Sequence, residues 1–150
     1  MIWVVLDSNV YISALLFGGN PRAVIELAQE GLFELSVSDP IKAEVERILA
    51  EKFSWSSQRL KDLALNLWSL THRVSTQQTV TDCADPDDNR ILECALDAHA
   101  AVIVTGDVHL LKMHPYKEIL ILTPKQFLEA KLWHRRLTDR SGRSRIEPPN

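Results

Sequence analysis

The chain has 150 residues, 45% of them hydrophobic and 25% charged, with a net charge of −3. That is the make-up of one globular domain with room for a single core. No apolar run approaches the roughly 20 residues needed to span a bilayer, and the short N-terminal run has no basic leader and contains Asp7, so neither a membrane span nor a secretory signal is expected.

Ile2 to Leu6 is an unbroken apolar run that leads into Asp7-Ser8-Asn9. Followed by a helical pattern, it reads as a strand buried on both faces of a parallel sheet. Asp7 stands at its carboxyl end, where open α/β sheets form their ligand crevice. It is either a site residue or the cap of the next helix. Val10 to Phe17 suits that helix, stopped by Gly18-Gly19. Asn20-Pro21 reads as the N-cap and first position of another helix, whose apolar stripe runs from Ala23 to Ala28 and ends at Gly31. Phe33 to Val37 is a second strand, and Ser38-Asp39-Pro40 opens a helix with Ile41, Val45, Ile48 and Leu49 at helical spacing. Ser54 to Ser57 caps a further helix through Leu70, and Arg73 to Ser75 is a weak third strand.

Thr76 to Ala84 is polar and loop-like, and Asp85-Pro86 starts a helix with Ile91, Leu92, Ala95 and Leu96 inward. Cys94 falls on the same apolar face; it and Cys83 have neither metal-type spacing nor a disulfide framework, which makes a cytoplasmic location the default expectation. Ala101 to Val104 is a strand ending in Thr105-Gly106-Asp107, Ile119 to Leu122 is the last strand, and Thr123-Pro124 caps a final helix to Leu132. Strands alternating with helices and no hairpin dipeptides predict an α/β sandwich on a parallel sheet. The expected division is a folded domain over 1–132 and a basic, disordered tail over 133–150. From Lys131 onward there are six basic and two acidic residues, +4, against −7 for residues 1–130. An acidic body with a basic appendage suggests a carboxylate-rich site and a segment able to meet polyanions.

Asp7 and Asp107 each end a strand, so neighbouring strands would open both carboxylates into one crevice. Glu44 lies beside Ile41, Val45 and Ile48 on the edge of a buried helix face, whereas Glu46 is expected to point toward solvent. Asp85, Asp87 and Asp88 begin the helix before the strand that ends in Asp107. Each acid has a plain structural explanation: Asp85 as N-cap, Asp87 and Asp88 as first-turn acids that suit the helix dipole, Asp107 as a turn or cap residue, Glu44 as a partner of Lys42 or Arg47. Together they can reach one edge of one sheet. Carboxylates crowded there repel and are driven toward protonation, and a divalent cation reverses that. Hard oxygen donors without His or Cys suit Mg²⁺ or Mn²⁺, one or two ions, and such a centre performs metal-assisted phosphodiester hydrolysis.

These residues resemble the PIN-domain family of metal-dependent ribonucleases over about 2–130. The resemblance rests on Val5-Leu6-Asp7-Ser8-Asn9, on Ser38 followed by Glu44, on Asp85-Pro86-Asp87-Asp88-Asn89-Arg90-Ile91-Leu92 and on Val104-Thr105-Gly106-Asp107. Its nearest subgroup is the VapC-like toxin components of toxin–antitoxin pairs. The resemblance implies a three-layer α/β/α sandwich around a parallel sheet of about five strands, and an endonuclease that cuts single-stranded RNA. It also implies an acidic quartet of Asp7, Glu44, Asp88 and Asp107, in which Asp7 and Asp107 are the direct metal ligands. Glu44 and Asp88 would bind through water or hold a second ion, while Ser8, Asn9 and Thr105 orient the carboxylates. A homodimer and a cognate antitoxin are the implied partners. The chain departs from the subgroup at His109, where an acid is common.

Haloacid-dehalogenase phosphatases would need an Asp at position 9, which is Asn, and response-regulator receivers a Lys at the end of the last strand, where Lys125 lies too far on. A non-catalytic PIN module that binds RNA or a partner protein is the alternative from another class. Candidate phosphate contacts are Arg22, Lys42, Lys52 and the tail. Candidate stacking residues are Trp55, Trp68 and Trp133, of which Trp68 has the spacing of a core residue.

Overall fold

The computed structural model describes residues 1–137, with side chains described through His134. Five strands, β1 (Trp3–Leu6), β2 (Glu34–Ser38), β3 (His72–Val74), β4 (Val102–Val104) and β5 (Leu120–Leu122), form one parallel sheet in the order β3-β2-β1-β4-β5. Among the described residues seven α-helices flank it: α1 (Ser8–Leu16), α2 (Gly19–Gln29), α3 (Asp39–Phe53), α4 (Ser57–Asn66), α5 (Pro86–Asp97), α6 (Val108–Leu111) and α7 (Pro124–Ala130). This is the expected three-layer α/β/α sandwich. Among the described residues no helix is long and apolar enough to cross a membrane.

The central strands are apolar because both faces are covered: Val4, Val5 and Leu6 of β1 and Val102, Ile103 and Val104 of β4 are fully buried. Such strands need no alternation of polar and apolar residues. β3 lies at the sheet edge with His72 and Arg73 exposed, one residue earlier than the weak pattern from Arg73 to Ser75 suggested.

The chain runs from β1 outward to β2 and β3, then returns through α5 to β4 and β5 on the other side. The seam between β1 and β4 is therefore the topological switch point, where the loops after the two strands diverge and leave a crevice. The register pairs Leu6 with Val104, and the Asp7 N–H donates to the Val104 carbonyl at 2.9 Å. Asp7 and Thr105 consequently leave the sheet at the same level.

Three local expectations change. The second helix begins at Gly19 with Gly18 as its cap rather than Asn20; Gly18 and Gly19 have φ of +81° and +64°, a left-handed turn that glycine adopts without strain. The helix capped near Ser54 to Ser57 is shorter: the Ser56 hydroxyl accepts the Arg59 N–H, α4 ends at Asn66, and a 3-10 turn over Trp68–Leu70 follows. Beyond α7 the chain continues as a 3-10 helix over Leu132–Leu137. Trp133, assigned from the sequence to the tail, packs against Phe33 and Phe127 with ring centroids 5.9 and 5.5 Å away. The rest of the expected tail, 138–150, lies outside the described residues.

Candidate active site

Asp7 occupies the N-cap position of α1 but its side chain makes no capping hydrogen bond. It is 6% exposed, and its Oδ2 accepts a hydrogen bond from the Thr105 hydroxyl at 2.7 Å. The same Thr105 oxygen accepts the Asp107 N–H at 3.0 Å. One fully buried hydroxyl thus ties the ends of β1 and β4 together, its proton committed to Asp7. Asp107 also caps α6, accepting the His109 N–H on Oδ1 at 2.7 Å.

Glu44 reaches the crevice from α3. Its Oε2 accepts the Ser8 hydroxyl at 2.9 Å, so its partner is neither Lys42 nor Arg47; Arg47 pairs along α3 with Glu51. Asp88 lies in the first turn of α5 and is 5% exposed, more enclosed than an acid serving only the helix dipole. The Cys83 thiol donates to its Oδ2 at 3.6 Å. Asp85 is the true cap of α5, accepting the Asp87 N–H at 2.9 Å.

Electrostatics link these groups. Burial raises the Asp7 pKa above the usual carboxylate range; the Thr105 hydrogen bond opposes this, the charge of Asp107 adds to it, and the Ser8 and Asn9 backbone amides draw it down. Burial, with the charges of Asp107, Asp85 and Asp7, pushes Asp88 up to about 6. Glu44 is raised by burial first, is lowered by the Ser8 hydroxyl, and is raised again by the charges of Asp87 and Asp7. Asp7, Glu44 and Asp88 therefore each feel the negative charge of another acid in the crevice.

That repulsion is the observation against which a metal is tested. Among the described residues no three acids, histidines or cysteines close around a point as a finished metal cage. The donor set is nonetheless all carboxylate and hydroxyl oxygen, and each acid would be stabilised in its ionised form by a divalent cation. The residues fit Mg²⁺ or Mn²⁺.

Two contributors escaped the sequence reading. Asp87, read there as a dipole acid, stands beside Glu44, and Cys83 touches Asp88. One expectation is corrected. Glu46 does not point to solvent but accepts the indole N–H of Trp68 at 3.0 Å. Trp68 is buried with its ring edge-on to Tyr11, as its core spacing predicts, and half-buried Trp133 packs against Phe33 and Phe127. Trp55 carries the Arg59 guanidinium 3.9 Å over its ring, at the rim of a cavity of about 350 Å³ that also includes Arg22, Glu26 and Asp62.

A family model described as PIN domain matches residues 3–109, a span that includes Asp7, Glu44, Asp88 and Asp107. An uncharacterized protein of Methanocaldococcus jannaschii is 28% identical over 141 residues, which cover 85% of this chain and 90% of that protein. Among solved structures, a chain from VapBC2 of Rickettsia felis bound to a DNA fragment from its promoter shares the fold with a TM-score of 0.56 at 13% identity, covering 80% of this chain and 97% of that one.

Proposed function

The chain belongs to the PIN domain family, and from that membership and its acidic crevice we propose that it is a metal-dependent endoribonuclease. It hydrolyses phosphodiester bonds of single-stranded RNA and acts as the toxin of a toxin–antitoxin pair. The observation that carries the reading is the Thr105 hydroxyl joining Asp7 to the Asp107 backbone at the β1–β4 seam, with Glu44 and Asp88 brought to the same crevice by α3 and α5.

Asp7 and Asp107 would hold the cation directly, and Glu44 and Asp88 through water or around a second ion. When bound, Mg²⁺ or Mn²⁺ supplies an activated water and neutralises phosphate charge. The chain's own residues prepare the site. Thr105 fixes one oxygen of Asp7. Ser8 turns Glu44 into the crevice, and the amides of Ser8 and Asn9 stabilise the ionised form of Asp7. Leu6 and Val104, fully buried beneath the strand ends, anchor Asp7 and Thr105 at one level. Substrate phosphates, repelled by the acids, need basic partners, for which Arg22, Lys42, Lys52 and the basic segment from Lys131 onward are the candidates in the sequence.

The VapBC2 complex supports a protein partner, a cognate antitoxin, for this chain as well. A homodimer and a cytoplasmic setting complete the proposal. The test is incubation of the purified chain with a defined single-stranded RNA in Mn²⁺ or in a chelator. Internal cuts that need the metal support the reading, and RNA left intact over a full Mn²⁺ and Mg²⁺ titration overturns it.

A further inference from the structure

Between β3 and α5 the chain runs from Ser75 to Asp85 without helix or strand. Its backbone N–H groups still need acceptors, and one face of α5 supplies them. Asn89, Glu93 and Asp97 recur every four residues, which aligns them along one side of the helix. Asp97 Oδ2 accepts the Gln77 and Gln78 N–H groups at 2.7 and 3.3 Å. Glu93 Oε2 accepts the Val80 N–H at 2.8 Å. Asn89 Oδ1 accepts the Cys83 N–H at 2.8 Å, while Asn89 Nδ2 donates to the Cys83 carbonyl at 2.8 Å. The strap thus lies along α5 as it would along a neighbouring strand, with side chains replacing the backbone of the partner. Val80 is driven into the core beneath it, and the Tyr116 hydroxyl hydrogen-bonds to Asp82.

The three rungs differ in what they reach. Those of Glu93 and Asp97 lie one and two helical turns away from the acids. The Asn89 rung is adjacent to Asp88 and holds both backbone polar groups of Cys83, the residue whose thiol donates to Asp88 Oδ2 at 3.6 Å. Asn89 is itself buried, so its amide has no solvent to satisfy it in another pose.

We propose that Asn89 is a positioning residue of the site: by clamping the backbone of Cys83 it keeps the thiol on Asp88 and so sets the orientation in which Asp88 receives the divalent cation. The proposal rests on the metal-dependent reading above. It concerns cation binding by the free protein, so it is tested without RNA.

The experiment measures Mn²⁺ affinity of the full chain by titration calorimetry, alongside hydrogen exchange of the Cys83 and Val80 amides. Groups that orient a metal ligand typically contribute about 10- to 100-fold in metal affinity. Asn89→Ala is expected to weaken Mn²⁺ by that factor, to deprotect the Cys83 amide and to leave the Val80 amide protected. Cys83→Ala, which keeps the backbone clamp but removes the thiol through which Asn89 acts, is expected to weaken Mn²⁺ by at least as much, and Cys83→Ser, which keeps a donor, to restore wild-type affinity. A merely structural role would deprotect the strap without changing affinity. Wild-type Mn²⁺ affinity in Asn89→Ala with an exposed Cys83 amide therefore overturns the proposal. If Asn89→Ala does not fold, the Cys83 pair decides: Cys83→Ala binding Mn²⁺ as tightly as wild type overturns it, and rescue confined to Cys83→Ser upholds it. Failure of the nuclease reading is separate. A wild type that binds Mn²⁺ with this ranking but leaves RNA intact keeps the positioning role and loses the ribonuclease, whereas RNA cleavage with unchanged Mn²⁺ affinity in every variant does the reverse.

Discussion

Asp88→Asn should make the metal-free protein more stable at neutral pH. Asp88 is almost completely enclosed, and its pKa moves from 3.8 to about 6 through burial and the charges of Asp107, Asp85 and Asp7. Each pKa unit is worth about 1.4 kcal/mol, so keeping Asp88 ionised in the folded chain costs about 3 kcal/mol. The folded pKa lies above the unfolded one, so the folded chain holds the proton more tightly. Wild type then has its full relative stability below about pH 3.8 and loses it as pH rises through about 6. Asn carries no charge and escapes this loss. For a domain of this size about 1 kcal/mol moves Tm by about 2–4 °C, which puts Asp88→Asn about 6–12 °C above wild type at pH 8 in chelator. The gap should close toward pH 4. Saturating Mn²⁺ should narrow it at pH 8 as well, because a ligand at about 100 times its Kd stabilises wild type by about 2.7 kcal/mol. Thermal unfolding followed by circular dichroism from pH 4 to pH 8, with and without Mn²⁺, reads all three. A gap independent of pH, or a variant less stable than wild type at pH 8, would refute the reasoning.

Thr105→Val keeps the shape of a fully buried side chain but removes the donor to Asp7 and the acceptor for Asp107. It should cost about 1–3 kcal/mol in urea unfolding. Because the Thr105 hydrogen bond lowers the Asp7 pKa, its loss should also shift the acidic limb of the cleavage pH profile to higher pH. His109→Asp adds a carboxylate beside Asp107 at the start of α6, where His109 is exposed; the Mn²⁺ concentration for half-maximal cleavage should fall. Trp133→Ala removes a ring packed on Phe33 and Phe127, and for a half-buried aromatic should cost about 2 kcal/mol. An unchanged Tm would place residues past 132 outside the folding unit.

The strands at the centre of the sheet were legible because Val4 to Leu6 and Val102 to Val104 are buried on both faces and had to be apolar throughout. β3 was faint because an edge strand with exposed His72 and Arg73 has little apolar pattern to show. Asp7 and Asp107 could be located from strand ends alone. That the Asp7 side chain leaves α1 uncapped could not, because the group it accepts from instead is the Thr105 hydroxyl, which is 98 residues away in sequence. Glu46 was misplaced for a similar reason. Helical geometry turns it from the core, but the short turn after α4 carries the Trp68 indole to it. The strap was the least legible part. A segment fastened by helix side chains has neither the period of a strand nor that of a helix, so nothing in the spacing of Gln77, Val80 and Cys83 announces the Asn89, Glu93 and Asp97 ladder.

The central claim is that this crevice, and Asp7 in particular, carries metal-dependent RNA cleavage. The most direct measurement is the single-turnover cleavage rate of one defined single-stranded RNA in saturating Mn²⁺ for wild type and Asp7→Asn, with circular dichroism confirming that both are folded. Removing a buried carboxylate that Asp107 repels should leave the fold intact, so the account predicts a folded Asp7→Asn variant whose cleavage is lost. Equal rates for the two proteins would contradict it.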